Sequence, residues 1–323
     1  MLVHLPNSAF LGNIDFFLSS LDLTSLPGSL TVTANKKWIS IHPVVLSLVA
    51  SLGLKVGQGN TQCEELTAAS KNYIVRMGLL KVLGVASEIS MVEHEPAGRF
   101  IPVTQIRTPS EASTFITDMI PLLHLEVEQS QTVGYIVSEL VSNVIEHAQS
   151  PHGAVICAQY YRKSNSIRIG IADTGIGIKS TITRSHPAQT DLEAIRLALR
   201  PGVTGTTKKE GGTEQNAGAG LFFIKSIANV NRDFFVIYSG NGFYKLLRKP
   251  SSTNSLALYV DPFHDRHSKK SDVPYWQGTV VGVDITLAQT KEFSLLLKAI
   301  TKLYAKDVRE KKRMRYKKKP RFA

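Results

Sequence analysis

Three stretches carry side chains that could do chemistry together. The first is ELVSNVIEHA, residues 139–148. Glu139, Asn143 and Glu146 stand at i, i+4 and i+7, which puts them on one stripe of a helix. Val137, Leu140, Val141, Val144 and Ala148 recur at helical spacing and would face a core. Such a polar stripe is ordinarily a solvated face. Its residue types also suit a site. An Asn amide oxygen is a hard ligand fit for Mg²⁺, which keeps several waters and leans on phosphates. A Glu one turn away can orient or deprotonate a nucleophile beside that metal.

The second stretch is IADTGIGI, residues 171–178, where an apolar run ends in Asp173 and Gly175 and Gly177 follow. Either Asp173 hydrogen-bonds the turn backbone, or it is the floor of a ligand pocket where missing side chains let backbone come close. The third is NAGAGLFFIKSIA, residues 216–228, where glycines lead straight into an apolar helix. Free N–H groups and a positive dipole end make that helix start a natural phosphate site. Gly218 and Gly220 would let phosphate oxygens approach the backbone. Lys208 and Lys209, earlier in the same loop, read as a solvated pair. The plain alternative for the whole segment is a flexible surface loop.

Elements that could position these residues are legible on both sides. SLTVTA and WISI read as strands, and Pro43 stands at the first turn of a helix over Val44–Leu52 that ends near Gly53. Residues 64–85 read as mostly helical, punctuated by Gly78 and Gly84. Strands alternating with helices predict a small α/β unit. RTPSEAS reads as a linker and helix start, with Ser110 or Ser113 as cap. Helices over Glu111–Leu125 and Glu126–Ala148 precede a hairpin, AVICAQYY–RKSN–SIRIGIAD. DLEAIRLALR and LFFIKSIANV read as further helices. FFVIYS, FYKLL, SLALYV and GTVVGVDITL then read as antiparallel strands. The predicted domains are residues 1–107, 108–290, and 291–323, the last a helix and a basic tail expected to be disordered.

Composition bounds the class. The chain has 323 residues and 43% hydrophobic content, enough for roughly two globular domains with real cores. Its net charge of +12 belongs mostly to one end: residues 302–323 hold eleven Lys/Arg against two Asp/Glu, and the other 301 residues carry +3. Two cysteines without metal-type spacing give neither a disulfide framework nor a zinc site. The start of the chain lacks a signal-peptide pattern. Its best apolar run, Val44–Val56, falls short of a span of about 20 residues. A cytoplasmic protein with no membrane span is expected. Walker-A and Rossmann patterns do not occur in context.

Together the motifs resemble the GHKL ATPase superfamily, which includes gyrase, heat-shock chaperone ATPases, repair proteins, histidine kinases and anti-sigma-factor serine kinases. ELVSNVIEHA resembles the N box, DTGIGI the D-x-G-x-G box, NAGAGL the lid box and GTVVGVDITL the closing G-T strand. The 30 residues from Asn143 to Asp173 are close to the spacing of the histidine and anti-sigma kinases. The resemblance covers about residues 108–287. It implies an α+β, two-layer α/β sandwich of the Bergerat ATP-binding type. It implies that Asp173 accepts from the adenine amino group, with Thr279 beside it and Gly175 and Gly177 clearing space next to the base. Asn143 would bind Mg²⁺ and Glu139 would be the catalytic base. Gly218, Ala219, Gly220 and Leu221 would close a lid over the phosphates of ATP. Asn216 stands where the first lid glycine belongs.

The first region resembles STAS-like domains, the fold of anti-anti-sigma factors, in the order of strand, connector and amphipathic helix. Those proteins carry a phosphorylatable Ser or Thr at the helix start. His42 and Pro43 hold that place here, which points to an interaction or regulatory role toward a protein partner. The basic tail, with Tyr316 and Phe322 interleaved, suits nucleic acid or another polyanion. Three functions are compatible with these features: a signalling or switch ATPase, an anti-sigma-type serine/threonine protein kinase, and a non-catalytic ATP-binding module. Glu139 argues against the last. His124 lacks the dimerising helix pair that a phospho-accepting histidine kinase would need.

Overall fold

A computed structural model describes residues 1–23, 28–86, 100–205, 219–250 and 258–287, together with scattered helical positions between 298 and 313. The chain opens with β1 (Leu2–Leu5), α1 (Ile14–Ser19), β2 (Leu30–Ala34), α2 (Pro43–Val56) and β3 (Thr61–Cys63). These three strands pair in parallel, in the order β1-β2-β3. Each parallel step carries a helix, as the α/β reading of this region expects. Two short helices follow, α3 (Lys71–Arg76) and α4 (Leu79–Leu83). Gly78 and Gly84 bracket α4 at φ 74° and 70°, the left-handed conformation that suits glycine at helix boundaries.

The larger part contains β4 (Phe100–Ile106), α5 (Pro109–Met119), α6 (Val127–Asn143), β5 (Ala154–Tyr161), β6 (Ser166–Ala172), α7 (Gly177–Ile182), α8 (Asp191–Ala198), α9 (Gly220–Val230), β7 (Phe235–Gly240), β8 (Gly242–Leu246), β9 (His267–Lys270) and β10 (Trp276–Thr286). Among the described residues, seven strands form one sheet in the order β4-β5-β6-β10-β7-β8-β9, antiparallel at every pairing. The edge strand β4 precedes the division at residue 107, yet it joins this sheet through β5.

Alternation along the strands shows what covers each face. Ile156, Ala158, Ile167, Ile169, Ile171, Phe235, Ile237, Val281, Val283 and Ile285 belong to one apolar cluster, with α6, α7, α8 and α9. Val155, Cys157, Ala172, Val236, Tyr238 and Val280 belong to the other, with α1 and α2. Both faces are therefore dry, which is why β5, β6 and β7 read as nearly continuous apolar runs. The helix α2 of the N-terminal unit covers the second face, and its residues Pro43–Gly53 are all buried. Gly170 on β6 allows the close approach, since a Cβ there would lie 2.1 Å from the Val44 nitrogen.

Several local expectations need correction. WISI is not a strand; Ile41 makes only an isolated bridge to Ala9, and the chain turns there into α2. That helix runs past Gly53 to Val56, and Gly53 gives Leu83 room to pack against it, since a Cβ there would lie 2.2 Å from Leu83 Cδ2. The cap of α5 is Thr108, whose hydroxyl accepts from Glu111 N at 3.1 Å, with Pro109 at the first helical position; neither Ser110 nor Ser113 serves. Residues 258–260 of the expected SLALYV strand are not in a strand, and the outermost strand is the polar HSKK of β9. Residues 255–257, Lys208, Lys209, Asn216 and Gly218, and residues 314–323 of the tail lie outside the described residues. Among the described residues no helix is long and apolar enough to cross a membrane.

His42 joins α2 to the large sheet. It is fully buried, its Nδ1 accepts from Val44 N at 3.0 Å, and its Nε2 lies 3.1 Å from Asp284 on β10. Because Nδ1 is an acceptor, Nε2 carries the proton and donates. Burial, the largest cause, pushes its pKa below the ordinary 6.5, against the raising effect of Asp284. A depressed folded pKa contributes stability that is present above about 6.5 and lost as pH falls through the folded value. The melting temperature is therefore expected to fall between about pH 7 and 5 with a steeper slope in the wild type than in His42→Gln. Parallel slopes would show that His42 contributes nothing to the acid limb.

Candidate active site

The helix α6 does not end as a plain α-helix. Val144–Ala148 forms a π-turn, closed by Gln149 at φ 50°. Such turns often mark functional sites, because they re-aim the side chains around them. The carbonyl of Ala148 accepts from Ile176 N at 2.8 Å, so the end of this turn is fastened to the loop that follows β6. Gly175 makes that approach possible: a Cβ there would lie 2.0 Å from the Ala148 oxygen. The stripe Glu139, Asn143 and Glu146 is thereby brought beside Asp173.

A cavity of about 530 Å³ opens between these elements, within the size range of a nucleotide-type ligand. Of the residues singled out in the sequence, Glu139, Asn143, Asp173, Gly177, Ala219, Gly220, Leu221 and Thr279 line it. Gly175 supports the floor and does not line the cavity. Glu146 also lines it. Tyr135, His147 and Thr181 are lining residues that sequence reasoning passed over. Tyr135 stands four residues before Glu139, so the helical stripe itself carried that signal.

Asp173 follows β6 at the cavity floor and is 2% exposed. Its carboxylate accepts from Gly175 N at 2.8 Å, and its own N–H donates to Thr279 O at 2.9 Å. Removal from water pushes its pKa up to about 7, against the lowering effect of hydrogen bonds from the backbone of Gly175 and Thr279. Thr279 reaches this position through an irregularity. The β10–β7 register shifts between Trp276 and Thr279, and Gly278 sits at φ 118°. A bulge of this kind re-aims the side chain that follows it. The turn after Asp173 is also held by Ser239, which accepts from Ile178 N at 3.0 Å and donates to Gly278 O at 2.6 Å.

On α6, Asn143 Nδ2 donates to the Glu139 carbonyl at 2.7 Å. The amide oxygen is then the atom that Asn143 offers to a ligand. Burial first, and the charge of Glu146 second, push the Glu139 carboxyl above its ordinary pKa. A carboxylate so raised is better matched to proton abstraction near neutral pH. Gly220, the first residue of α9, is packed on it: a Cβ there would lie 2.0 Å from Glu139 Oε2. The bare backbone of the α9 start and the Glu139 carboxylate thus share one wall. Among the described residues no group of three or more His, Cys, Asp and Glu is placed to hold a metal. The donor set fits a hard cation held by one amide oxygen and by the oxygens of its own ligand.

Residues 104–232 match the family model of the histidine kinase-like ATPase domain. The match supports ATP binding of the GHKL kind for this part of the chain. It begins within β4 and ends just after α9, so it takes in Glu139, Asn143, Asp173 and Gly220. The closing strand β10 lies beyond it in sequence, but it pairs with β6 along seven residues, Val280–Thr286. The small parallel sheet precedes the ATPase match. No curated protein is significantly similar to the chain.

Proposed function

We propose that the chain is a Mg²⁺-dependent ATP-binding protein, a signalling or switch ATPase in which ATP closes the glycine-rich segment before α9 and so regulates a partner. The observation that carries this reading is Asp173, a buried carboxylate in a nucleotide-sized cavity that Glu139 and Asn143 also line. A carboxylate accepts from the amino group of adenine and meets a carbonyl on guanine, so ATP is favoured over GTP. Asn143 would hold the metal, which supplies charge neutralisation at the phosphates. Glu139 is the base. Ala219, Gly220 and Leu221 present backbone N–H groups at the start of α9, a helix of 11 residues. Gly218, the preceding glycine in the sequence, lies outside the described residues.

Anti-sigma-type serine/threonine kinase activity is the second reading, and the raised Glu139 carboxyl serves it equally, since a base can activate a protein hydroxyl as well as water. A γ-labelled ATP incubation with and without cell extract separates the two. Free labelled phosphate in the pure protein supports the ATPase. Label on a second protein supports the kinase. Binding of ATP and GTP with equal affinity would remove the adenine assignment.

The N-terminal unit is proposed to be a STAS-like module that receives a protein partner. The basic segment at the other end is proposed to contact nucleic acid or another polyanion. A truncation after Thr301 removes all eleven Lys/Arg of residues 302–323. It is expected to lose salt-sensitive retention on DNA, RNA or anionic vesicles and to keep its ATP affinity. Equal retention by the truncated and full chains would exclude the tail as the contact.

A further inference from the structure

The turn that presents Asp173 is held from behind by the first residues of β10. Trp276 is 2% exposed, and its indole N–H donates to the backbone carbonyl of Asp173 at 3.0 Å. Gln277 Nε2 donates to the Gly175 carbonyl at 2.6 Å. Gly278 closes against the same Asp173 carbonyl: a Cβ there would lie 2.1 Å from its oxygen. The peptide that follows the Asp173 side chain therefore takes its orientation from β10.

Trp276 does not belong to the apolar cluster under the cavity. It belongs to the cluster built with α1 and α2 on the opposite face of the sheet. Its ring centroid lies 6.3 Å from that of Tyr238, at 41° between planes. Tyr238 and Val280 in turn border a small void together with Phe17, Val45 and Leu48 of the N-terminal unit. Phe17, Val45, Leu48, Tyr238 and Trp276 nevertheless belong to one buried apolar cluster, so the N-terminal unit shares a core with the ring that holds the Asp173 carbonyl. A shared core transmits strain between the elements that build it.

We propose that Trp276 is a positioning residue for the carboxylate that recognises adenine, and that through it the packing of the N-terminal unit sets the base selectivity of a cavity on the other side of the sheet. The inference rests on the adenine reading of Asp173 proposed above. Trp276 does not line the cavity. It acts by holding one carbonyl, and a hydrogen bond to a base depends steeply on the angle at which the carboxylate meets it.

The test compares ATP with inosine triphosphate, which carries the same phosphates and a carbonyl in place of the amino group. Wild-type protein is expected to favour ATP by about 10- to 100-fold, the contribution of a charge-assisted hydrogen bond. In Trp276→Phe the ring packing is largely kept and the donor is lost. Inosine triphosphate affinity is expected to stay within about twofold, while the preference for ATP narrows by about fivefold or more. Val45→Ala, which removes packing volume beneath Tyr238, is expected to narrow the same ratio. Equal losses for both nucleotides in folded Trp276→Phe would make the residue merely structural and overturn the proposal. An unchanged ratio in Val45→Ala would overturn its N-terminal half. A wild type that does not separate the two nucleotides would instead sink the adenine reading itself.

Should Trp276→Phe fail to fold, the chain's two tryptophans allow a second measurement. In Trp38→Phe protein the single remaining indole N–H resonance belongs to Trp276. Its shift on saturation is expected to be larger with ATP than with inosine triphosphate. Identical shifts would overturn the positioning role.

Discussion

Asp173→Asn is expected to weaken ATP binding by about 10- to 100-fold, the range of a charge-assisted hydrogen bond exchanged for a mismatched one. The physical reason is a shortage of acceptors. The carboxylate already accepts from Gly175 N at 2.8 Å and from the backbone of Thr279. An asparagine has one side-chain oxygen, so its NH₂ would face either a backbone N–H or the adenine amino group. Both are donors, and either placement leaves a buried group unsatisfied. Titration calorimetry at fixed Mg²⁺ measures the loss, and affinity within twofold of wild type would remove Asp173 from base recognition.

A pH signature accompanies this prediction. Burial pushes the Asp173 carboxyl up to about 7. Accepting from adenine favours the ionised form, so binding releases a proton from the fraction still protonated. ATP affinity is therefore expected to be flat above about pH 7 and to decline below it, with the decline absent from Asp173→Asn. Stability of the nucleotide-free protein runs the other way. A folded pKa raised above the unfolded 3.8 contributes stability that is lost as pH rises through about 7. The variant lacks that loss, so its melting temperature at pH 8 is expected to equal or exceed the wild type's.

Glu139→Ala is expected to lower turnover by about 10²- to 10⁴-fold, the usual contribution of a positioned general base, and to leave ATP affinity within a few-fold. Its pKa is raised by burial and by Glu146, so the acid limb of wild-type activity is expected at a higher pH than an ordinary glutamate would give. Labelled phosphate release under saturating ATP measures the rate, and a binding assay on the same sample shows whether the cavity is intact. Turnover at the wild-type rate would clear Glu139 of the role of base and leave the binding reading standing.

The helical stripe of Glu139 and Asn143, the carboxylate at the end of β6 and the glycine-led start of α9 were all readable in the sequence, because each depends on local spacing. Period 3.6 places side chains on one face whatever the helix packs against. A dry strand must be apolar throughout, so β5, β6 and β7 announced themselves as runs. The polar edge strand β9 gave no such signal. WISI has strand-like residues but lacks a partner strand along its length, and propensity alone does not make a ladder.

What only the tertiary structure decided lies between elements distant in the chain. The π-turn at Val144–Ala148 is stabilised by Ile176 N, 28 residues beyond Ala148, and no helical period predicts it. The second face of the sheet is covered by α2, more than a hundred residues before β6, with His42 reaching Asp284 across 242 residues. Trp276 reads in the sequence as one apolar residue before a G-T strand. Its bond to the Asp173 carbonyl is made where β10 shifts register between Trp276 and Thr279, with Gly278 at φ 118° against the turn that follows β6. Sequence determines which side chains share a local face, since backbone periodicity is local. Long-range pairing decides which of those faces meet and what the carboxylate between them can bind.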